Sequence, residues 1–460
     1  MTKPHFIPFD DTHWIAFFTD TCRFFKTNQN GKTLIEEISS GMGFDEAIEN
    51  FDLTRDQYMD YVKKIESYSE PGTGQEKAEG ACKHKGNHLD RLVIHVSNDC
   101  NLRCQYCYAA GGAYGSARRL MSLDMLQTVL NVFFQHFDSI TNVQIFGGEP
   151  LMNMPAVRAI CEYVRARNEE AEHKTSIGLV TNATLIDAEF IELVKDYEVN
   201  VTISYDGDVK TNNELRVYQD RRGSSEDVLK KAKELYDATG QPDTIEVTYT
   251  QLHVNNHVGI LEIVRNIKEM LPNTNVHLVP VSGCDGKPVG LKTLEMFPAS
   301  VDELFAEKEF TKTPTYSLVE RIFAGMANRN PNNRFICNAG VGTLSVSVEG
   351  DVYPCFMFTN EQALCLGNIA DKDLFESNRF IEGLGKLRQF NDKSMNETCR
   401  GCFIRTLCYG CLGMNATHEG DCFRINEKVC DMFRDMMTRA IIQYTEHGLM
   451  VEERNEAQQT

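Results

Sequence analysis

The sequence RLVIHVSNDCNLRCQYCY, residues 91–108, joins a hydrophobic run directly to three closely spaced cysteines. Residues 92–96 have the apolar, β-branched composition of a buried strand. Cys100, Cys104 and Cys107 follow it in the spacing C-x3-C-x2-C. In folds built on parallel strands, reactive groups collect where the strands end. The run therefore predicts a strand followed by a cysteine loop, which would lie at the carboxyl edge of a parallel sheet.

The residues that follow this loop alternate predicted strands with predicted helices. Together with residues 92–96, the strand candidates are residues 142–146, 176–181, 200–204, 244–250 and 276–281. The segments between them have helical spacing, for example residues 124–137 and 228–238. Ser224 and Asp227 are predicted to cap the second of these helices. Six strands in β/α alternation predict an α/β fold with a parallel sheet, either doubly wound or barrel-like.

The composition is that of a globular protein with an ordinary hydrophobic core. Of 460 residues, 42% are hydrophobic and 25% are charged, which allows about two to four domains. The formal net charge of −19 argues against nucleic acid as the main partner. No apolar run reaches the ~18 residues of a membrane span, and the first residues lack the apolar core of a signal peptide. We therefore expect a cytoplasmic protein with no membrane partner.

Sixteen cysteines are distributed unevenly along the chain. Three lie in the loop described above, and nine lie between Cys337 and Cys430. Because disulfides are rare in the cytoplasm, clusters of this kind predict metal ligands. The remaining four are isolated, and we expect no chemical role for the first three: Cys22, Cys82, Cys161 and Cys284.

The spacing of the first cluster favours an iron–sulfur cube over zinc. Three thiolates on one tight loop can hold three irons of a [4Fe–4S] cluster and leave the fourth iron open for chemistry. Structural zinc commonly takes four ligands as two CxxC pairs, which a loop with three cysteines fits poorly.

With Tyr106 before the last cysteine, this loop resembles that of the radical S-adenosylmethionine (SAM) enzyme superfamily. The resemblance implies a partial (β/α)6 TIM-like barrel. It also implies that SAM binds the open iron through its amino and carboxylate groups. SAM is then cleaved to a 5′-deoxyadenosyl radical that abstracts hydrogen from carbon. The cofactor carries the hard chemistry, and the protein positions it and excludes water.

The same resemblance implies a set of SAM contacts at the strand ends. In the family, a segment like Phe146–Pro150 binds the amino group, and a segment like residues 204–207 follows the fourth strand. Ser204 would then contact the ribose or the carboxylate, and Arg216 would meet the carboxylate with its guanidinium fork. For Asn182, Ser204 and Arg216, the alternative is a surface or loop hydrogen bond. The implied cofactor-binding residues are Tyr106, Gly147, Gly148, Glu149, Asn182, Ser204, Arg216 and Leu278.

The cysteines near the C-terminus resemble the SPASM extension of radical SAM enzymes, which holds two auxiliary [4Fe–4S] clusters. By resemblance, the outer cluster is bound by Cys399, Cys402, Cys408 and Cys430, and the inner cluster by Cys337, Cys355 and Cys411. The chain departs from the family at the step from Cys408 to Cys411, which is C-x2-C where C-x3-C is usual. Three clusters are expected in all; two zinc ribbons are the alternative for this region.

The inner cluster is left with three protein ligands in this assignment. Cys365 or Cys422 could complete it, or the fourth corner could be open for a thiolate of the substrate. If they are not ligands, both cysteines are ordinary buried thiols.

The chain is predicted to divide into six segments. Residues 1–69 contain two β-like runs, at 14–18 and 22–27, and three helical patterns. They resemble a small winged-helix-like α+β domain that binds a leader peptide by adding a strand to its sheet; the alternative is a structural cap. The other segments are a linker (70–90), the radical SAM core (91–285), a connector (286–334), the SPASM domain (335–440) and a tail (441–460).

These features together predict a maturase of ribosomally made peptides that forms cysteine thioether cross-links. Its partners would be a precursor peptide with a leader and an electron donor such as flavodoxin or ferredoxin. Cys284 and Asp285, after the last barrel strand, are speculative catalytic residues. The alternatives are an anaerobic sulfatase-maturing enzyme that makes formylglycine, a maturase that forms C–C or C–O cross-links, and a non-catalytic iron–sulfur or zinc scaffold protein.

Overall fold

A computed structural model describes residues 2–70, 87–328 and 334–449. Its strands form one sheet of three strands and one of nine. Cys82, most of the predicted linker and the end of the predicted tail lie outside the described residues. Within the described residues, none of the helices combines the length and the apolar character needed to cross a membrane.

The N-terminal unit is an antiparallel sheet followed by three helices, and only its first strand escaped prediction. That strand is β1, a run of four residues too short to show alternation. Thr54 and Gln57 form a capping box at the start of the third helix. The elements are β1 (His5–Pro8), β2 (His13–Phe18), β3 (Arg23–Asn28), α1 (Gln29–Ser39), α2 (Phe44–Phe51) and α3 (Arg55–Ser69).

Both faces of this small sheet are buried. Phe18 and Phe25 pack on the three helices, with Leu34 and Ile65 among their neighbours. The opposite face, which includes Phe17, belongs to the main hydrophobic core of the molecule. The N-terminal unit is therefore fixed to the rest of the chain through one face of its sheet.

Six parallel strands in chain order form the centre of the large sheet, as the alternating pattern predicts. They are β4 (His88–Ser97), β5 (Ser139–Gly147), β6 (Ser176–Thr181), β7 (Asn200–Ser204), β8 (Thr244–Tyr249) and β9 (Asn275–Pro280). The first begins at His88, inside the segment predicted to be a linker.

Helices alternate with these strands and cover the sheet. They are α4 (Leu123–His136), α5 (Met154–Glu170), α6 (Ala188–Tyr197), α7 (Val209–Leu215), α8 (Ser225–Thr239), α9 (Gln251–Asn255) and α10 (Ile260–Met270). The predicted capping pair at α8 is wrong, because the Ser224 side chain makes no cap hydrogen bond. Ser224 Oγ instead donates to the carbonyl oxygen of Arg216 at 2.7 Å.

The cysteine-rich region extends the barrel sheet. Residues 343–353 form a hairpin whose first strand pairs in parallel with β4, so three further strands extend the large sheet on the β4 side. The remaining elements are α11 (Met296–Ala306), α12 (Ser317–Asn328), β10 (Thr343–Val346), β11 (Asp351–Tyr353), β12 (Gly367–Asn368), α13 (Asn378–Asn391), α14 (Glu397–Arg400), α15 (Leu412–Glu419) and α16 (Glu427–Glu446). This pairing places the second set of cysteines beside the barrel.

Candidate active site

One large cavity opens at the carboxyl ends of the barrel strands, where the sequence predicted reactive groups. Its volume is about 740 Å³. Cys100, Cys104 and Cys107 line one part of it, and Cys411 lines another. The cavity therefore connects the two cysteine regions.

The first cysteine loop is held by backbone hydrogen bonds to a distant part of the barrel. The amide of Arg103 donates to the carbonyl oxygen of Val217 at 2.7 Å, and the amide of Gln105 donates to that of Leu215 at 2.9 Å. Asn182 Nδ2 lies 3.7 Å from the sulfur of Cys100. The predicted contact residue Asn182 thus borders both the cavity and the cysteine loop.

Gly147 and Gly148 allow the end of β5 to approach the base of the cysteine loop. A Cβ atom on Gly147 would lie 2.3 Å from the Ser97 carbonyl oxygen, and one on Gly148 would lie 2.2 Å from that of Asp99. Gly147 also has a φ of +139°, which disfavours other residues. Both glycines line the cavity. Their lack of side chains is thus required by the loop itself, before any ligand is considered.

Glu149 is buried beside the cavity, and its carboxylate is already engaged. It accepts hydrogen bonds from the amides of Leu151 (3.0 Å) and Asn182 (2.8 Å) and from the Thr181 hydroxyl (2.8 Å). Burial raises the pKa of Glu149, and these hydrogen bonds oppose the increase. Glu149 is not among the residues that line the cavity. The Glu149 side chain therefore connects the end of β5 to the end of β6 and does not line the cavity.

Tyr106, Asp206 and Arg216 form a buried network that ties the cysteine loop to the end of β7. The Tyr106 hydroxyl donates to the Asp206 carboxylate at 2.9 Å and accepts from Arg216 Nη1 at 2.7 Å. Burial raises the pKa of Asp206, and the charge of Arg216 opposes this. Arg216 Nε is buried and has no hydrogen-bond partner among the described residues. A carboxylate in the cavity would satisfy this donor, so the site fits the carboxylate of SAM.

Three neighbouring strands contribute one layer of side chains to the cavity. Ser204 on β7, Glu246 on β8 and His277 on β9 are register partners, and all three line the cavity. The expectation that Leu278 lines it is wrong, because side chains alternate along a strand. Leu278 points into the core, where it is fully buried, while Val279 lines the cavity. Glu246 and His277 escaped prediction, since neither belongs to a motif.

The four cysteines assigned to the outer cluster surround a second, smaller cavity of about 40 Å³. Lys393 also lines it, and the Lys393 ammonium donates to the carbonyl oxygens of Arg405 (2.8 Å) and Cys408 (2.7 Å). A buried cation beside several thiolates compensates their negative charge. The cysteines that line this smaller cavity are Cys399, Cys402, Cys408, Cys411 and Cys430.

The three cysteines assigned to the inner cluster lie in electrostatic range of one another. Cys411 raises the pKa of both Cys337 and Cys355, after the larger effect of burial. Cys422 is buried and has Cys337 among its electrostatic neighbours. The Cys365 thiol donates a hydrogen bond to the Gly367 carbonyl oxygen, at a sulfur-to-oxygen distance of 3.6 Å. Cys365 and Cys422 both belong to the hydrophobic cluster against which Cys337 and Cys355 pack, so both stay candidates for an additional ligand.

The donors in both regions are cysteine thiols, the ligand type of iron–sulfur clusters. Among the residues that the structure describes, no three His, Cys, Asp or Glu side chains form a group able to hold one metal ion. In a zinc site all sulfurs lie about 2.3 Å from the same atom, whereas the thiolates of a cube bind different irons and lie further apart. The donor sets fit iron–sulfur clusters.

Cys284 and Asp285 lie outside the cavity lining. Cys284 is buried in a small apolar cluster with Leu215 and Val289, and burial raises the pKa of its thiol. Asp285 pairs with His418. Cys284 packs against Tyr106 of the cysteine loop and has Cys107 in electrostatic range, although it does not line the cavity. The catalytic role of Cys284 and Asp285 stays a prediction.

Two sequence profiles match the chain at these regions. The profile of the Radical SAM superfamily matches residues 94–279, and the profile of the SPASM iron–sulfur cluster-binding domain matches residues 337–403. The matched ranges contain the first cysteine loop and the barrel strands that follow it, and most of the second set of cysteines.

Known proteins resemble the chain over most of its length. TigE of Paramaledivibacter caminithermalis, a radical SAM cyclopropyl synthase, is 22% identical over 82% of this chain and 78% of its own. The cysteine-type anaerobic sulfatase-maturating enzyme of Clostridium novyi is 23% identical over 70% of this chain and 86% of its own. The solved structure of anSMEcpe with bound AdoMet and Cp18Cys peptide has a TM-score of 0.63 at 19% identity, covering 79% of this chain and 99% of its own.

Proposed function

We propose that this chain, a radical SAM enzyme with a SPASM domain, forms a thioether cross-link between a cysteine and a carbon atom of a ribosomally made peptide. When bound, a [4Fe–4S] cluster with SAM supplies a 5′-deoxyadenosyl radical, and auxiliary iron–sulfur clusters supply acceptors for an electron. The chain relates to both peptide maturases and sulfatase maturases. The thioether is our choice among their chemistries.

The residues that would hold the radical source are all at one end of the cavity. Cys100, Cys104 and Cys107 would bind three irons, and Arg216 would bind the SAM carboxylate through its unpaired Nε. Tyr106 and Asp206 hold Arg216 in place. Because this network is buried, its polar groups are shielded from water and act at low dielectric.

The observation that carries the proposal is the continuity of the cavity from the first cysteine loop to Cys411. A peptide in this space can present a carbon to the radical source at one end and a cysteine sulfur to the inner cysteine set at the other. Phe356 and Met357, which follow Cys355 in the chain, also line the cavity. Removal of two hydrogens from the peptide is an oxidation, so an electron acceptor has to be near.

The N-terminal sheet supports a peptide substrate with a leader. Within the described residues, β1 and β3 each have a strand partner on one side only. An extended segment can therefore add to either edge through backbone hydrogen bonds. The other face of the sheet contacts residues 399–408, which we call the outer cysteine loop. There the ring of His5 stacks on the ring of Phe403, with the ring centroids 4.0 Å apart. A bound leader would thus be held beside the SPASM domain.

Formylglycine formation on a sulfatase is the second candidate function. It is favoured by the sulfatase-maturating relative and by the shared fold of anSMEcpe. It would need no separate leader-binding sheet, which is why we rank it below the maturase.

Co-expression with short cysteine-rich precursor peptides tests the proposal. Mass spectrometry is expected to show a loss of about 2 Da per linkage, with the cysteine no longer alkylated, because the two lost hydrogens accompany C–S bond formation. The C104S variant, which lacks one cluster ligand, is the control and should leave the peptide unchanged. Conversion of cysteine to an aldehyde would support the second candidate. A mass loss with the cysteine still reactive would indicate a C–C or C–O cross-link.

The single tryptophan of the chain offers a direct test of leader binding. Trp14 lies on β2 in the N-terminal unit, where its indole donates to Gln29 Oε1 at 2.9 Å and Lys32 lies over its ring at 3.5 Å. A peptide that adds to this sheet is expected to change Trp14 fluorescence with saturation. The same peptide without its leader is the control and should leave the signal unchanged.

A further inference from the structure

Glu246 is a carboxylate inside the cavity that no step above uses. It lies in mid-strand on β8, between Ser204 on one neighbouring strand and His277 on the other. Its side chain is half-buried and lines the cavity. Within the residues that the structure describes, its carboxylate has no hydrogen bond and no ion pair. A half-buried carboxylate without a protein partner loses part of its hydration, so a residue of this kind at a reaction site calls for a functional explanation.

The charged and titratable groups around Glu246 come from three directions. Arg216 and Asp206, from the end of β7 and the loop beyond it, act on its charge with opposite signs. Tyr108, from the cysteine loop, is in electrostatic range of both Glu246 and Cys355. His277, from β9, donates to or accepts from Ser317 Oγ at 2.8 Å.

Within the described residues, Glu246 is the carboxylate of this group that no hydrogen bond engages, so it can accept a proton in the cavity. Burial raises its pKa above the usual range of a glutamate, and Arg216 opposes this. Burial lowers the pKa of His277 to about 4, so its ring stays neutral near pH 7. Asp206 is already engaged by Tyr106.

We propose that Glu246 is the general base that receives the proton released when the peptide is oxidised. This inference rests on the proposed function. One peptide hydrogen leaves as an atom and becomes part of 5′-deoxyadenosine. The cysteine S–H bond then breaks, its proton goes to the Glu246 carboxylate, and the C–S bond forms. The remaining electron passes to an oxidised auxiliary iron–sulfur cluster, so that atoms and electrons balance.

The position of Glu246 suits this role better than that of the other acidic residues near the site. Glu149 has its carboxylate oxygens occupied by three donors. Asp285 pairs with His418 outside the cavity lining. Glu246 instead lines the cavity, with both Arg216 and Tyr108 in electrostatic range. Its oxygen atoms are thus open to the space in which the peptide would react.

The first arm of the test uses SAM alone and needs no peptide. The E246Q variant keeps the size of the side chain and removes its charge. We expect its SAM dissociation constant, from equilibrium titration of the reconstituted protein, to stay within about threefold of wild type. An increase of about tenfold or more would show that Glu246 binds the SAM ribose, and it would overturn the inference.

The second arm uses a precursor peptide that the wild-type enzyme modifies. We expect E246Q to lower the rate of cross-linking about 100-fold while 5′-deoxyadenosine still forms, because hydrogen abstraction precedes proton removal. E246D should retain part of the cross-linking. The matched control is E269Q, since Glu269 is an exposed glutamate of α10 outside the cavity lining and should be dispensable.

The pH dependence separates a base from a residue that only shapes the cavity. Cross-linking by wild type should fall as pH decreases through the raised pKa of Glu246, because the protonated carboxyl cannot accept a proton. E246Q should lose this dependence. An unchanged rate or an unchanged pH profile in E246Q refutes the role. If wild type itself modifies none of the peptides, the proposed function fails, and the inference fails with it.

Discussion

The first cysteine loop spans eight residues of sequence, whereas the second set of cysteines extends from Cys337 to Cys430. The loop is fixed by its own backbone, through hydrogen bonds to residues 215 and 217 and contacts with Gly147 and Gly148. The cysteines of the second set come together only because β10 joins the barrel sheet and α16 brings Cys430 beside the others. One site is thus specified locally, and the other depends on the tertiary fold.

This difference separates two kinds of dependence. Damage to the first loop removes the radical source itself. Under the proposed function, damage to the second set leaves the source in place and affects what happens to the radical later. The predictions below use this separation, and they run from the largest expected effect to the smallest.

The largest effect is expected from exchanging one cysteine in each region. C104S should lower 5′-deoxyadenosine formation about 1000-fold or to background, because an iron of the SAM-binding cube loses its ligand. C399S should lower peptide cross-linking to a similar degree and retain 5′-deoxyadenosine formation. Both products are measured by chromatography after anaerobic reduction. Loss of 5′-deoxyadenosine in C399S as well would show that the two regions do not function separately.

A smaller effect is expected from the buried arginine that joins the loop to β7. R216K should raise the SAM dissociation constant about tenfold, because an ammonium cannot reproduce the guanidinium fork. The control is R222K on the same segment, where the exposed Arg222 pairs with Asp227 at 2.8 Å. Titration of both reconstituted variants with SAM measures the difference. Equal affinities would mean that the unpaired Arg216 Nε is not part of the SAM site.

The same contrast explains how much the sequence could predict. All six barrel strands were predicted, with β6 and β7 at their observed bounds, because each strand carries its own apolar pattern. Glu246 could not be predicted, since a lone acidic residue in a strand becomes a site residue only when its neighbours are known. Leu278 was assigned to the wrong face because a shift of one residue reverses the side of a strand.

The second cysteine region was predicted by resemblance, and its placement was not. The sequence of residues 343–346 does not show that this strand pairs with β4, which lies far earlier in the chain, because the choice of strand partner depends on the whole sheet. The contact between the N-terminal sheet and Phe403 could not be predicted either. The pattern of β2 shows that both of its faces are apolar, but it does not show which residues cover them.

A moderate effect on stability is expected at the base of the first loop. G148A should lower the free energy of unfolding by about 1–3 kcal/mol, because its Cβ would lie 2.2 Å from the Asp99 carbonyl oxygen. G385A is the control: it lies in α13 with no other atom within 4 Å of the added Cβ, and it should stabilise by about 0.5–1 kcal/mol. Denaturant unfolding under anaerobic conditions measures both. Destabilisation by G385A would contradict the steric account.

The smallest effect is expected where the outer cysteine loop meets the N-terminal unit. The buried Thr406 hydroxyl donates to the carbonyl oxygen of Thr19 at 2.8 Å, and Arg405 pairs with Asp20 beside it. T406V should lower the free energy of unfolding by about 1 kcal/mol, because it leaves a buried carbonyl oxygen without its donor. The control T128V removes an exposed hydroxyl that bonds within its own helix and should change stability by less than about 0.5 kcal/mol.

The decisive readout for T406V is the rate of 5′-deoxyadenosine formation beside the rate of cross-linking. If the second region serves only later steps, the first rate stays at the wild-type value. The second rate falls slightly, because the sheet that would carry the leader is held less firmly beside the outer loop. A fall in 5′-deoxyadenosine formation would instead mean that the N-terminal unit acts on the radical source through the shared core, in which Phe17 and Ile404 pack together with the barrel strands.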